Sequence, residues 1–166
     1  NADSRYTFNS SATNVDALNE AYGGVGGESD SIDASAGGTA VAETRIIAEH
    51  AGTARASAVG GKGGRSRDYG AAPGEGGSAW AVSHIEAATD AAAYASATGG
   101  QRGRASDDSS GPGGDAAAEA HASGFGTVTA SAYATGGRSD NYAGYGQATT
   151  LSIATTAGLG NVATGL

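Results

Sequence analysis

Along three stretches of about twenty residues, small side chains hold every second position and mixed, mostly polar residues fill the gaps. The first reads Ala40, Ala42, Thr44, Ile46, Ala48, His50, Gly52, Ala54, Ala56, Ala58, with Glu43, Arg45, Glu49 and Arg55 between. The second reads Ala79, Ala81, Ser83, Ile85, Ala87, Thr89, Ala91, Ala93, Ala95, Ala97, interleaved with Trp80, His84, Glu86, Asp90 and Tyr94. The third reads Ala116, Ala118, Ala120, Ala122, Gly124, Gly126, Val128, Ala130, Ala132, Ala134. A period of two sends successive side chains to opposite faces of an extended strand. The pattern therefore predicts an all-β chain whose strands show one face of little more than methyl groups, so that its sheets pack unusually close.

Double glycines frame these stretches at a fixed interval. Gly37-Gly38 leads to Gly60-Gly61, Gly76-Gly77 to Gly99-Gly100, and Gly113-Gly114 to Gly136-Gly137, each by 23 residues. Connectors of 14 residues (Lys62 to Glu75) and 12 residues (Gln101 to Pro112) make the full period 39 and then 37. Length variation confined to connectors is what a repeat array tolerates, because strands must keep register and loops need not. The chain reads as a single repeat domain over 1–166: a degenerate unit at 1–36, repeats at 37–75, 76–112 and 113–149, and a partial unit at 150–166. The outer units carry the larger side chains, Tyr6, Phe8, Val15 and Leu18 at one end, as a capping or docking unit should.

A straight strand of twenty residues would span about 66 Å, and a 12-residue connector reaches at most about 43 Å. Either the long strands are antiparallel, or each bends midway. His50-Ala51-Gly52, Thr89-Asp90 and Ser123-Gly124-Phe125-Gly126 all tolerate a bend. The expectation is a β-solenoid-like array with a thin, Ala-lined core, each coil holding two strands and a Gly-rich third side. A sandwich of long antiparallel strands is the alternative. Helix is a third, since Ala is the best helix former, but alternating Ala gives no apolar helical stripe. The Gly-Gly pairs are read as tight turns using positive φ.

Composition narrows the classes. Thirty glycines, no cysteine and no methionine remove thiol chemistry and two oxidisable side chains, which suits an exposed extracellular material. A net charge of −8, with no basic stripe along the chain, argues against nucleic acid as a partner. No apolar run is long enough for a membrane span. The opening Asn1-Ala2-Asp3, with no methionine, is consistent with a processed or trimmed N-terminus, and no signal peptide is expected in it.

Few residues suggest chemistry. Acidic clusters in the connectors, among them Asp30, Asp33, Asp107 and Asp108, are of the type that holds Ca²⁺. Arg65, Arg67, Arg102 and Arg104 beside them favour ion pairs and solvated loop charge instead, and no cofactor is expected. His84 and His121 hold equivalent repeat positions, with Arg45 as the third, which predicts a column of exposed side chains. Asn9-Ser10-Ser11 fits the N-glycosylation sequon. No nucleophile elbow, phosphate loop or His-Glu-x-x-His motif is present in the sequence, and the chain is not expected to be an enzyme.

The repeated Ala-x-Ala-x-Ala-x-Gly-Gly of Ala54 to Gly61, Ala93 to Gly100 and Ala130 to Gly137 resembles secreted Ala/Gly-rich repeat proteins of bacterial surface filaments, adhesins and biofilm matrix. The likeness is compositional and transfers no functional residues. It implies a polymerising extracellular role, and the expected chain is a self-assembling fibre subunit that pairs with copies of itself, with glycans as possible partners. Tyr6, Phe8 and Leu18 at one end, with Leu151, Ile153, Leu159 and Leu166 at the other, are the expected assembly residues. An ice- or glycan-binding β-repeat module and the spacer stalk of a cell-surface or phage adhesin are the alternatives.

Overall fold

The computed structural model describes residues 1–30, 32–105, 112–139, 144–158 and 163–165. The chain is a β-solenoid without helix among the described residues. Its strands are β1 (Ala2–Ser10), β2 (Asn14–Tyr22), β3 (Ala40–Ala48), β4 (Ala51–Val59), β5 (Ala79–Ala87), β6 (Ala91–Thr98), β7 (Ala116–Gly124), β8 (Val128–Thr135), β9 (Ala148–Thr156) and β10 (Ala163–Gly165). Odd strands form one five-stranded sheet and even strands the other, each in sequence order. All strand pairing is parallel, so the antiparallel alternative is not the one adopted.

Each twenty-residue alternation is thus two strands joined by a short arc, and His50 and Thr89 sit exposed in the arcs. Side-chain parity survives the bend: Ala48 before the first arc and Gly52 after it both face inward and are buried. Register follows the repeat, with Ala40 beside Ala79, Ala79 beside Ala116, and Ala54 beside Ala93 beside Ala130.

The core is a double layer of methyl groups, mostly buried and only partly so toward the ends at Ala2, Ala17, Ala132, Ala134 and Ala154, and relieved by Val15, Ile46, Ile85 and Val128. Gly52 makes room for one of these: a Cβ there would press on Ile85 Cδ1. The sheets lie so close that a short inner side chain on one reaches backbone on the other. Thr44 Oγ1 donates to the Arg55 carbonyl at 2.7 Å and Ser83 Oγ to the Ala54 carbonyl at 2.8 Å. These bonds satisfy hydroxyls that burial would otherwise penalise. Thr44→Val keeps the shape and removes one bond, so urea unfolding should show a loss of about 1 kcal/mol.

Beyond the sheets the chain runs out and back in Gly-rich arms. The outgoing arms are 23–29, 60–67, 99–105 and 136–139; the returning ones are 34–39, 73–78, 112–115 and 144–147. Their hydrogen bonds change direction with a period of three. Gly60 N–H bonds the Thr98 carbonyl of the next coil, Gly61 N–H bonds the Gly38 carbonyl of the opposite layer, and Lys62 faces solvent. Gly63, Gly64 and Arg65 repeat the cycle with Gln101, Ser35 and solvent. Three residues per turn without internal hydrogen bonds is the geometry of a polyproline II helix.

Across the two arm layers two ladders climb the stack, one through Gly27, Ser35, Gly64, Gly74 and Gly103 and a longer one through the glycine doublets. Gly38 N–H bonds the Gly24 carbonyl at 2.7 Å, Gly61 bonds Gly38 at 2.8 Å and Gly77 bonds Gly61 at 2.8 Å. Gly100, Gly114, Gly137 and Gly146 continue it, outgoing and returning arms alternating. The expectation that the Gly-Gly pairs make positive-φ turns is therefore corrected. Among the described glycines only Gly70 (φ 89°), at an arm tip, and Gly144 (φ 97°), where the last arm starts back, are left-handed. The doublets continue extended backbone, and they are glycine because a Cβ would strike a neighbouring arm's carbonyl, that of Gly77 across the layers for Gly60 and that of Gly24 in the same layer for Gly61.

Candidate functional site

The edge of the stack at β1 differs from the interior. Tyr6 aligns with Thr44 and Phe8 with Ile46, so both rings occupy inward positions. They are only partly covered there, 45% and 40% exposed, and stack on each other with centroids 6.0 Å apart. Behind them Asn19, buried in β2, donates its amide to the carbonyls of Ser4 and Glu43 and so clasps β1 to β3.

The glycine columns carry a second peculiarity at this edge. A Cβ on Gly61 would collide with the Gly24 carbonyl, one on Gly100 with Gly61, and one on Gly137 with Gly100. In the next column Gly64 would collide with Gly27, and Gly103 with Gly64. Gly24 heads the first column and meets nothing within 4 Å; Gly27 heads the second and meets only Ser35 Oγ at 3.7 Å. Neither has a positive φ. Both thus conform to a steric rule that no described neighbour imposes on them.

The other expected assembly residues are dispersed. Leu18 is exposed on the outer face of the even sheet, and Leu151 and Ile153 on that of the odd sheet. Leu159 and Leu166 lie outside the described residues. Asn9 is exposed near the end of β1.

The predicted column forms on the outer face of the odd sheet, where Arg45, His84, His121 and Ile153 are successive neighbours. The two imidazoles lie 6.1 Å apart. Glu86 takes both His84, at 3.0 Å, and Arg45, at 3.8 Å, while His121 lies 3.9 Å from Glu119. Nearby, the Arg5 guanidinium is hydrogen-bonded to Asp3, which raises its pKa above the usual arginine value. On the even sheet Arg55 pairs with Asp16 and lies over the Tyr94 ring.

The acidic connector residues do not converge. Asp30 and Glu28 both face Arg67, at 3.4 and 3.0 Å, and Asp33 accepts the Ala72 N–H at 2.7 Å. Asp107 and Asp108 lie outside the described residues. Among the described residues no three His, Cys, Asp or Glu side chains are grouped to hold a metal ion, and no helix is long and apolar enough to cross a membrane.

Folding does create a basic stripe that the linear sequence conceals. Of the nine Lys and Arg residues, Lys62, Arg65, Arg67, Arg102, Arg104 and Arg138 all lie in the outgoing arms. The signal was a period of three, visible as Gly23-Gly24-Val25-Gly26-Gly27-Glu28 and Gly60-Gly61-Lys62-Gly63-Gly64-Arg65. Attention to the two-residue period alone passes over it.

No protein family, curated protein or solved structure matches the chain.

Proposed function

We propose that the chain is a structural subunit of an extracellular fibre or matrix, extended by end-to-end stacking of solenoids. The observation that carries this reading is the pair Gly24 and Gly27. Each is the residue its column requires when another arm stacks above it, and each faces open space in the single molecule. The uncovered β1 edge, with Tyr6 and Phe8 turned inward and half exposed, supports the same reading, since an unpaired strand invites a further strand.

The test is the double substitution Gly24→Ala and Gly27→Ala. Neither Cβ meets a collision in the monomer, so the variant should unfold at or slightly above the wild-type temperature. In an extended stack the same two methyl groups would fall against the next arm. Electron microscopy and sedimentation should therefore show filaments for the wild type and dispersed single molecules for the variant. Equal assembly by both proteins, or none by the wild type, would overturn the reading.

A further inference from the structure

We infer that the outer face of the outgoing arms is a binding surface for an anionic polysaccharide, held by Lys62, Arg65 and Arg138 with Gln101 and Arg104 in the same grid. The inference stands on the arm layer alone and does not require copies to stack.

The grid follows from the hydrogen bonding. Every third arm residue faces solvent, and the outgoing arms of successive coils lie side by side. Val25, Lys62, Gln101 and Arg138 thus form one row along the stack, and Glu28, Arg65 and Arg104 the next. Neighbours in a row are separated by about 4.8 Å, the spacing of hydrogen-bonded extended chains. The rows are separated by about 9.3 Å, three residues of polyproline II rise. No ion pair engages Lys62, Arg65 or Arg138 among the described residues.

Cations on a mobile loop would lose ordering entropy on binding. Here the backbone beneath them is fixed on two sides by hydrogen bonds, so much of that cost is already met. The field also singles out this layer. The chain carries a net charge of −8: the outgoing arms hold six Lys and Arg against Glu28 alone, the strands and their arcs hold Asp3, Asp16, Glu20, Glu43, Glu49, Glu86, Asp90 and Glu119 against only Arg5, Arg45 and Arg55, and the other eight carboxylates fall in sequence between an outgoing arm and the next strand. A shallow groove beside Trp80 on the odd sheet is rimmed by Asp115 and would repel the same ligand. A polyanion is directed to the outgoing arms and away from the carboxylates on either side of them.

Two features favour an acidic polysaccharide over a nucleic acid. Duplex DNA concentrates about one charge per 1.7 Å of axis, and the acidic sheets beside so small a patch would repel it. Single strands are held largely by aromatic stacking, and the two rows contain no aromatic side chain. Charged sugars spaced along a flexible chain need only separated cations with an amide such as Gln101 between them.

Binding should be measured to heparin and to polygalacturonate, representing sulfate and carboxylate, over a salt series. One variant replaces Lys62, Arg65 and Arg138 with Gln, and a control replaces Arg5, Arg45 and Arg55 with Gln, giving the same change in net charge. The arm variant should bind at least tenfold more weakly. Its log affinity should depend less steeply on log salt, by about one per cation removed. The control should bind as the wild type does. Retention of binding by one polyanion only would identify the anionic group the surface takes. Equal loss in both variants, no wild-type binding to either polymer, or displacement of the polysaccharide by a single-stranded oligonucleotide at lower concentration would overturn the inference.

Discussion

Gly61→Ala is expected to remove a large part of the molecule's stability, although it adds a single methyl group. That methyl would sit against the Gly24 carbonyl carbon and oxygen, which are backbone and have no rotamer to change. Relief requires the arms to separate. Separation breaks the Gly61 N–H bond to Gly38 and the Gly77 N–H bond to Gly61, both 2.8 Å, and loosens the next rungs. Overpacking in an ordinary core costs about 1–3 kcal/mol, and each broken hydrogen bond adds about 1 kcal/mol. A total of about 3–5 kcal/mol is a large part of the stability of a domain this size, typically about 5–15 kcal/mol. Gly24→Ala is the matched control, in the same column with nothing for its methyl group to strike. Urea titration followed by circular dichroism should show the first variant strongly shifted and the second unchanged. Similar midpoints for the two would mean that close approach of the arms is not what selects glycine.

The strands were legible because they obey one strong rule. With alternating parity over Ala40–Ala58 and its two copies, only strands satisfy the pattern, and the 39- and 37-residue offsets fix the register seen between Ala40, Ala79 and Ala116. The arms were not legible in the same way. Gly60-Gly61 looks like a turn under the usual association of glycine with positive φ. What selects it here is a carbonyl that arrives from a residue distant in sequence, Gly24 or Gly77. Such a constraint belongs to the stacked array and is invisible within any one connector. The basic surface was hidden for the same reason, since Lys62, Arg65 and Arg138 become neighbours only when a three-residue period is laid over the coil repeat. Tyr6 illustrates a further limit. Its size marks a capping or docking unit, and only the pairing of β1 with β3 shows that it takes the inward place that Thr44 holds one coil later.

Ala93→Leu should be nearly as damaging as Gly61→Ala, through the other half of the coil. Ala93 is fully buried on the inner face of β6, between Ala54 and Ala130 in its own sheet. In a core of Leu and Ile, extra carbons are accommodated in part by neighbours that switch rotamer. The Ala neighbours here have none to switch, so the added volume can be relieved only by moving the sheets apart. Ordinary sheets pack about 10 Å apart, whereas these are held closer by hydroxyls that reach from one inner face to the opposite backbone. The Thr44 bond to Arg55 and the Ser83 bond to Ala54 both depend on that spacing. The expected loss is therefore at the top of the overpacking range or beyond it, about 3 kcal/mol or more. Ala92→Leu places the same side chain on the outer face next in sequence, beside Thr53 and Thr129, where solvent can take it up. Its midpoint should stay within about 0.5 kcal/mol of wild type. Should Ala93→Leu prove as mild as Ala92→Leu, the two sheets have room between them, and the alanines at inner positions are there for some reason other than close packing.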